Sequence, residues 1–223
     1  MPASRRARRV GVVLVVGAVF VLVVGTVWAL EAPGMSYAWQ GSMISDLGAL
    51  TCADAGVRWI CSPRHTVFNA AQIMAGVLLL VAAVVLRGAW DRALRAAAVA
   101  VGLGLVVLGV FPADVAHAPH MVGAVLGLPI SAAFLLISGA RERVAPRARR
   151  LVRIVLATVV LVLSALHLVP GDTLRGIAEL VSLFAMCAVF LAEAAWTALP
   201  HDAATSPPRR RSTREAGAER GRS

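Results

Sequence analysis

Six apolar stretches, each close to the length that crosses a bilayer, constrain this chain more than any other feature. A hydrocarbon core of roughly 30 Å takes about 20 helical residues. Runs of that kind, bounded by charge or by Pro and Gly, fall at residues 10–30, 66–86, 96–111, 120–140, 151–169 and 174–199. Inside hydrocarbon each backbone amide must bond within its own segment, so the runs are expected as unbroken helices. The expected fold class is therefore all-α, a polytopic membrane bundle of about six transmembrane helices. Composition agrees: 59% of the 223 residues are hydrophobic and 15% charged, and the mean hydropathy is +0.78, too apolar for a water-soluble domain. The apolar content is Val, Leu and Ala, with only 5% aromatic, as expected of helices that face acyl chains.

The first run follows a basic leader (Arg5, Arg6, Arg8, Arg9) and has the outline of a signal peptide, with Ala29 near its end. It is about twice as long as the 7 to 15 residues of a signal peptide's apolar region, and it reads as a retained anchor.

Orientation follows from arginine. The chain has no lysine, and its 22 basic residues are sorted by side. Residues 1–9 form a basic tail. Arg87, Arg92 and Arg95 follow the second run; Arg141, Arg143, Arg147, Arg149, Arg150 and Arg153 lie between the fourth and fifth; six more occupy residues 200–223. Only Arg58, Arg64 and Arg175 fall on the other side. Retention of basic connections in the cytoplasm then gives an N-in, C-in protein of the cell membrane, with an even helix count. The same arginines attract anionic headgroups, so membrane lipids are the expected partners. Residues 200–223, rich in Pro, Ser, Arg, Ala and Glu, are expected as a disordered cytoplasmic tail. Nothing in them resembles a nucleic-acid module.

The one long extracytoplasmic segment is residues 31–65. With Tyr37, Trp39 and Trp59 it is suited to the headgroup zone, and 36–50 is expected as a short interfacial helix with Asp46 facing the bundle or water. Cys52 and Cys61 lie on the side where disulfides persist and are expected to pair; two free thiols are the alternative, and a metal pair is disfavoured by the spacing. Cys187, within the last run, reads as a small packing residue.

Polar residues gather near the outer ends of the runs: Ser45, Asp46, Asn69, Asp114, His117, His120, His167, Asp172 and Glu179. Ionisable groups at membrane depth usually face a bundle interior, so the fold can converge them on one extracytoplasmic pocket. Each also has a plain structural reading: Asp172 as a helix cap, Asp114 as part of the turn at Pro112. Pro119 suits the first position of the fourth helix, which would leave His117 outside it and spoil a chelating pair with His120. No metal is assigned; His117, His120 and His167 are the low-ranked alternative. Glycine-rich phosphate loops, CxxC pairs and a GxSxG elbow are all missing from the sequence, so no cofactor is expected.

Ile44-Ser45-Asp46-Leu47-Gly48, Phe68-Asn69 opening a helix, Gly109-Val110-Phe111-Pro112-Ala113-Asp114 and His120-Met121-Val122-Gly123-Ala124 together resemble the bacterial membrane family called domain of unknown function 998, over about residues 10–199. The resemblance implies the six-helix layout and matches the family's recurrent polar residues to Ser45, Asp46, Asn69, Asp114, His120 and Glu179. Family members often carry a Glu-Arg pair early in the last helix. Here Leu180 stands in the second position, and Arg175, one turn earlier, is the available substitute. The family has no settled activity, so two classes of function remain: a structural or lipid-handling protein, and a membrane-embedded, metal-dependent lipid hydrolase. Proton-coupled transport ranks below both, because the inner halves of the helices carry few ionisable groups besides Glu193 and no inverted repeat is visible. Gly102, Gly104, Gly109 and the Gly123/Gly127 pair are expected to pack helices within one protomer, and oligomeric state stays open.

Overall fold

Caps and charges at the ends of the apolar runs set where the helices begin. The computed structural model describes residues 3–35, 37–39, 41–54, 58–166 and 174–199. Helix α1 spans Arg5–Leu30, with the Ser4 hydroxyl accepting from the Ala7 amide at 3.2 Å. Helix α2 spans His65–Val85 and α3 Arg92–Val110. Asp91 caps α3 by accepting from the amides of Ala93 and Leu94 at 2.9 and 3.0 Å. That cap starts the helix about a turn before the expected residue 96 and draws Arg92 and Arg95 into it.

Helix α4 spans His117–Arg141. It begins three residues before the expected start, at N-cap Ala116. Pro119 is therefore the third helical residue and not the first, which costs no bond because first-turn amides have no helical partner. The correction matters because it puts His117 and His120 on one helix. Halfway along α4 the segment Leu126–Ile130 winds as π-helix around Pro129. Proline removes a ladder hydrogen bond there, and, two residues on, the Ser131 hydroxyl donates to the Gly127 and Leu128 carbonyls at 2.7 and 2.9 Å. Helices α5 and α6 span Arg147–Leu166 and Arg175–Ala198.

The six helices form a ring in chain order: each packs on the next, and α6 closes against α1. Among the described residues, five of them, all but α5, are long and apolar enough to cross a membrane. Small residues let the neighbours approach. A Cβ on Gly76 of α2 would lie 2.5 Å from the Gly102 carbonyl of α3, and one on Gly104 would lie 2.7 Å from the Gly123 carbonyl of α4. These glycines thus serve contacts inside one chain, as the sequence suggests. Buried Val15, Leu79, Leu94, Leu135, Val160 and Val189 fill the interior. Val13, Phe20, Val84, Val162 and Phe184 point outward, the reverse of what a water-soluble surface tolerates.

Both described chain ends lie at one end of the ring. The Ala3 amide donates to the Gly88 carbonyl at 3.4 Å, and the Trp90 indole donates to the Thr197 hydroxyl at 3.0 Å. The opposite end is covered by the segment between α1 and α2. Its described residues hold no interfacial helix of the expected extent, only one 3₁₀ turn, Ile44–Gly48, whose Ile44, Asp46, Leu47 and Gly48 are buried. The turn packs on α1, α2 and α6. A two-residue hairpin follows, β1 Ala53–Asp54 against β2 Trp59–Ile60. Cys52 and Cys61 flank it and are disulfide-bonded, Cα–Cα 4.2 Å.

Candidate functional site

The conspicuous Ser-Asp-Leu-Gly segment is the 3₁₀ turn, and each of its residues has a task. Asp46 is buried and turns back to accept from the Met43 amide at 2.8 Å. The Arg58 guanidinium then grips it with a two-pronged bond, Nε to Oδ2 at 2.7 Å and Nη2 to Oδ1 at 2.9 Å. The hydrogen bond to Asp46 raises the Arg58 pKa above its ordinary value, against the opposing effect of burial. Gly48 leaves room for Asn69, whose Nδ2 donates to the Gly48 carbonyl at 2.9 Å; a Cβ at Gly48 would collide with the Asn69 amide oxygen. The Ser62 hydroxyl donates to the Leu47 carbonyl at 2.6 Å. Arg64 donates to the Trp28 carbonyl at 2.9 Å and stacks over its ring, tying α2 to α1.

Two of the other named residues act as ties at separate places. Asp114 accepts from the amides of Leu50 and Thr51 and from the Thr51 hydroxyl, at 2.8, 2.9 and 2.9 Å, anchoring the cap to the α3–α4 turn. His120 is buried with Nδ1 2.9 Å from the Phe111 carbonyl, while His117 is exposed. His167 and Asp172 lie outside the described residues. Among the described residues no group of three His, Cys, Asp or Glu side chains is placed to hold a metal ion.

Ser45 and Glu179 are brought together. The Glu179 carboxylate, from the second turn of α6, accepts from the Ser45 amide at 3.5 Å. The pair forms the polar end of a cavity of ≈ 80 Å³ at the centre of the ring. Its walls come from α1, α2, α3, the π segment of α4 and α6, and include Leu22, Leu79, Leu105, Leu128, Met186 and Phe190. Besides Ser45 and Glu179 the polar side chains in the wall are Gln72 and Cys187. Gln72 is 6% exposed, its side chain in the cavity wall. Sequence reasoning did not single it out, because one glutamine in an apolar helix carries no periodic signal.

A second polar cluster, at the end that holds the termini, corrects the expectation that inner helix halves carry little charge. Arg153 of α5 and Glu193 of α6 are both fully buried. Arg153 Nε and Nη2 meet the two Glu193 oxygens at 2.6 and 2.8 Å. Its Nη1 reaches Ser138 at 2.6 Å and Asp91 at 3.2 Å, and also Glu142. Arg149 adds two bonds to Glu193 at 3.0 and 2.6 Å. The cluster thus staples α3, α4, α5 and α6 together. Arg153 had been counted with the basic loop; the available hint was its position between Leu151-Val152 and Ile154-Val155, inside the apolar run.

A helical membrane protein with a capped ring and an apolar interior cavity is the class these features define. The chain belongs to the family described as Protein of unknown function (DUF998), whose model matches residues 15–196. That span includes the cap, the cavity and the buried ion cluster. No curated protein and no solved structure matches the chain.

Proposed function

We propose that this is a lipid-handling protein of the cell membrane, with six spans, both termini in the cytoplasm, and an outward-facing cap over a cavity that takes an amphiphile. One observation carries the reading: an apolar cavity inside the ring ends at Ser45 and Glu179, so that a chain and a polar group each find matching walls. The orientation rests on the arginines at the termini end and on the disulfide at the cap end, each on the side its chemistry favours. Arginines outside the buried cluster then meet anionic headgroups of the inner leaflet.

Native mass spectrometry of the full chain, released from its own membranes, tests this. Bound amphiphile masses are expected with the wild type and should disappear with Ala75→Trp, which fills the cavity from α2. Absence of any such mass in the wild type, or its persistence in the variant, would overturn the reading. The hydrolase alternative predicts stoichiometric zinc that is lost with His120→Ala.

A further inference from the structure

We infer that the membrane-facing side of α1 and α2 is a docking groove for one acyl chain of a zwitterionic phospholipid, with the lipid phosphate held by Arg64. The site goes beyond the lipid-handling reading above, because it lies on the outside of the ring and shares no residue with the central cavity.

The groove has the form of a chain site. Phe20, Val24 and Trp28, about one turn apart on α1, face Val67, Ala70 and Met74 of α2 across a volume of ≈ 350 Å³ whose wall carries no charged side chain. That volume falls within the range of small-molecule sites, about 300–1,000 Å³. Phe20 and Trp28 are separated by roughly 12 Å of helix axis, close to the ~15 Å hydrocarbon depth of one leaflet. Phe20, Trp28 and Met74 are each more than half exposed, and these bulky edges keep a second helix from close approach. Gly25, the residue that would admit one, is spent inside the chain, since a Cβ there would collide with Ala71. A thin, flexible chain fits where a helix does not.

At the capped end of the ring the groove finishes in a cation. Arg64 donates from Nη1 to the Trp28 carbonyl at 2.9 Å, and its guanidinium carbon lies 5.8 Å from the centre of the Trp28 ring. Its other N–H groups bond to nothing among the described residues. A guanidinium offers a phosphate two parallel bonds, and this one is already fixed where an indole favours the headgroup zone. Glu31, the exposed C-cap of α1, follows one turn beyond Trp28 and is ion-paired with no described residue. A phosphate followed by an ammonium meets both charges, whereas a net anion leaves Glu31 opposed.

The groove is open along its length to the bilayer, so its lipid exchanges with bulk lipid and is measured in place. Full-length protein in nanodiscs of mixed phosphatidylethanolamine and phosphatidylglycerol is labelled with trace probes that share one diazirine-bearing chain. The probes are phosphatidylethanolamine, phosphatidylglycerol and diacylglycerol. Label on residues 20–28 and 65–74 is compared with label at Phe184, which is exposed on α6. The phosphatidylethanolamine ratio is expected about fivefold above that of diacylglycerol, and above that of phosphatidylglycerol. Arg64→Gln should bring it down to the diacylglycerol level, and Arg64→Lys should keep most of it, a rescue that simple misfolding does not give. Ala70→Phe fills the groove from its exposed side and should remove groove label from every probe with no loss of thermal midpoint. Equal ratios for the three heads, a preference for phosphatidylglycerol, or cross-linking to a second copy through an unlabelled groove would overturn the inference. The cavity reading is decided separately by its own test.

Discussion

Arg153 is the side chain on which most depends. Removing one partner of a buried ion pair strands the other, at a cost of about 3–5 kcal/mol. Arg153→Leu should therefore lower the thermal midpoint of the detergent-solubilised protein sharply. Glu142→Gln should cost about 1 kcal/mol or less, because the Glu142 side chain is 26% exposed and partly screened. Tyr37 gives a second measurement, since it is the only tyrosine in the chain. Burial first, and then the charges of Glu179 and Asp46, raise its pKa above 10. In the unfolded chain the phenol ionises near 10, so the neutral-phenol contribution to stability is intact below that pH and is lost as pH rises beyond it. Ultraviolet titration should show no phenolate in the folded protein until well above the denatured midpoint. Individual side chains were unevenly legible in the sequence. The Cys52–Cys61 pairing followed from their place and spacing in one loop. Arg153 and Gln72 did not, because a guanidinium near a basic loop looks like a topology signal until Glu193, 40 residues on, and Asp91, 62 residues back, are in contact with it.

Helices were legible from hydrocarbon length and their ends were not. A cap moved the start of α3, and a cap such as Asp91 is one polar residue among several near a turn until its bonds are seen. The expected interfacial helix shrank to five residues because the aromatic side chains that suggested it say where a segment lies and nothing of its winding. The glycine contacts make a graded prediction. Gly104→Ala would press a methyl against the Gly123 carbonyl and should cost about 1–3 kcal/mol by thermal unfolding. In Gly17→Ala the new Cβ lies 3.8 Å from Leu78, an ordinary contact, and better helix propensity should leave stability unchanged or raised by roughly 0.5–1 kcal/mol.

The ring as a whole explains how the sorted arginines, the capped end and the cavity belong to one arrangement. Consecutive helices are neighbours, so alternating directions place the α2–α3 and α4–α5 connections at the end away from the cap. A reporter fused after Arg150 should behave as cytoplasmic in intact cells; an external signal would reverse the proposed orientation. Of the polar residues named from the sequence, among the described ones only Ser45 and Glu179 border the cavity. Asp46, Asn69, Asp114 and His120 are ties, and nothing in their identity distinguishes a tie from a binding group before their partners are known.

The staple between α5 and α6 bears on how the chain is made. Helix α5 carries a fully buried arginine, Arg153, within its apolar run, and the carboxylate that neutralises it is translated 40 residues later. A nascent chain halted before Arg175 should therefore expose α5 to alkaline extraction or protease, and release of the final helix should draw both into the bilayer together.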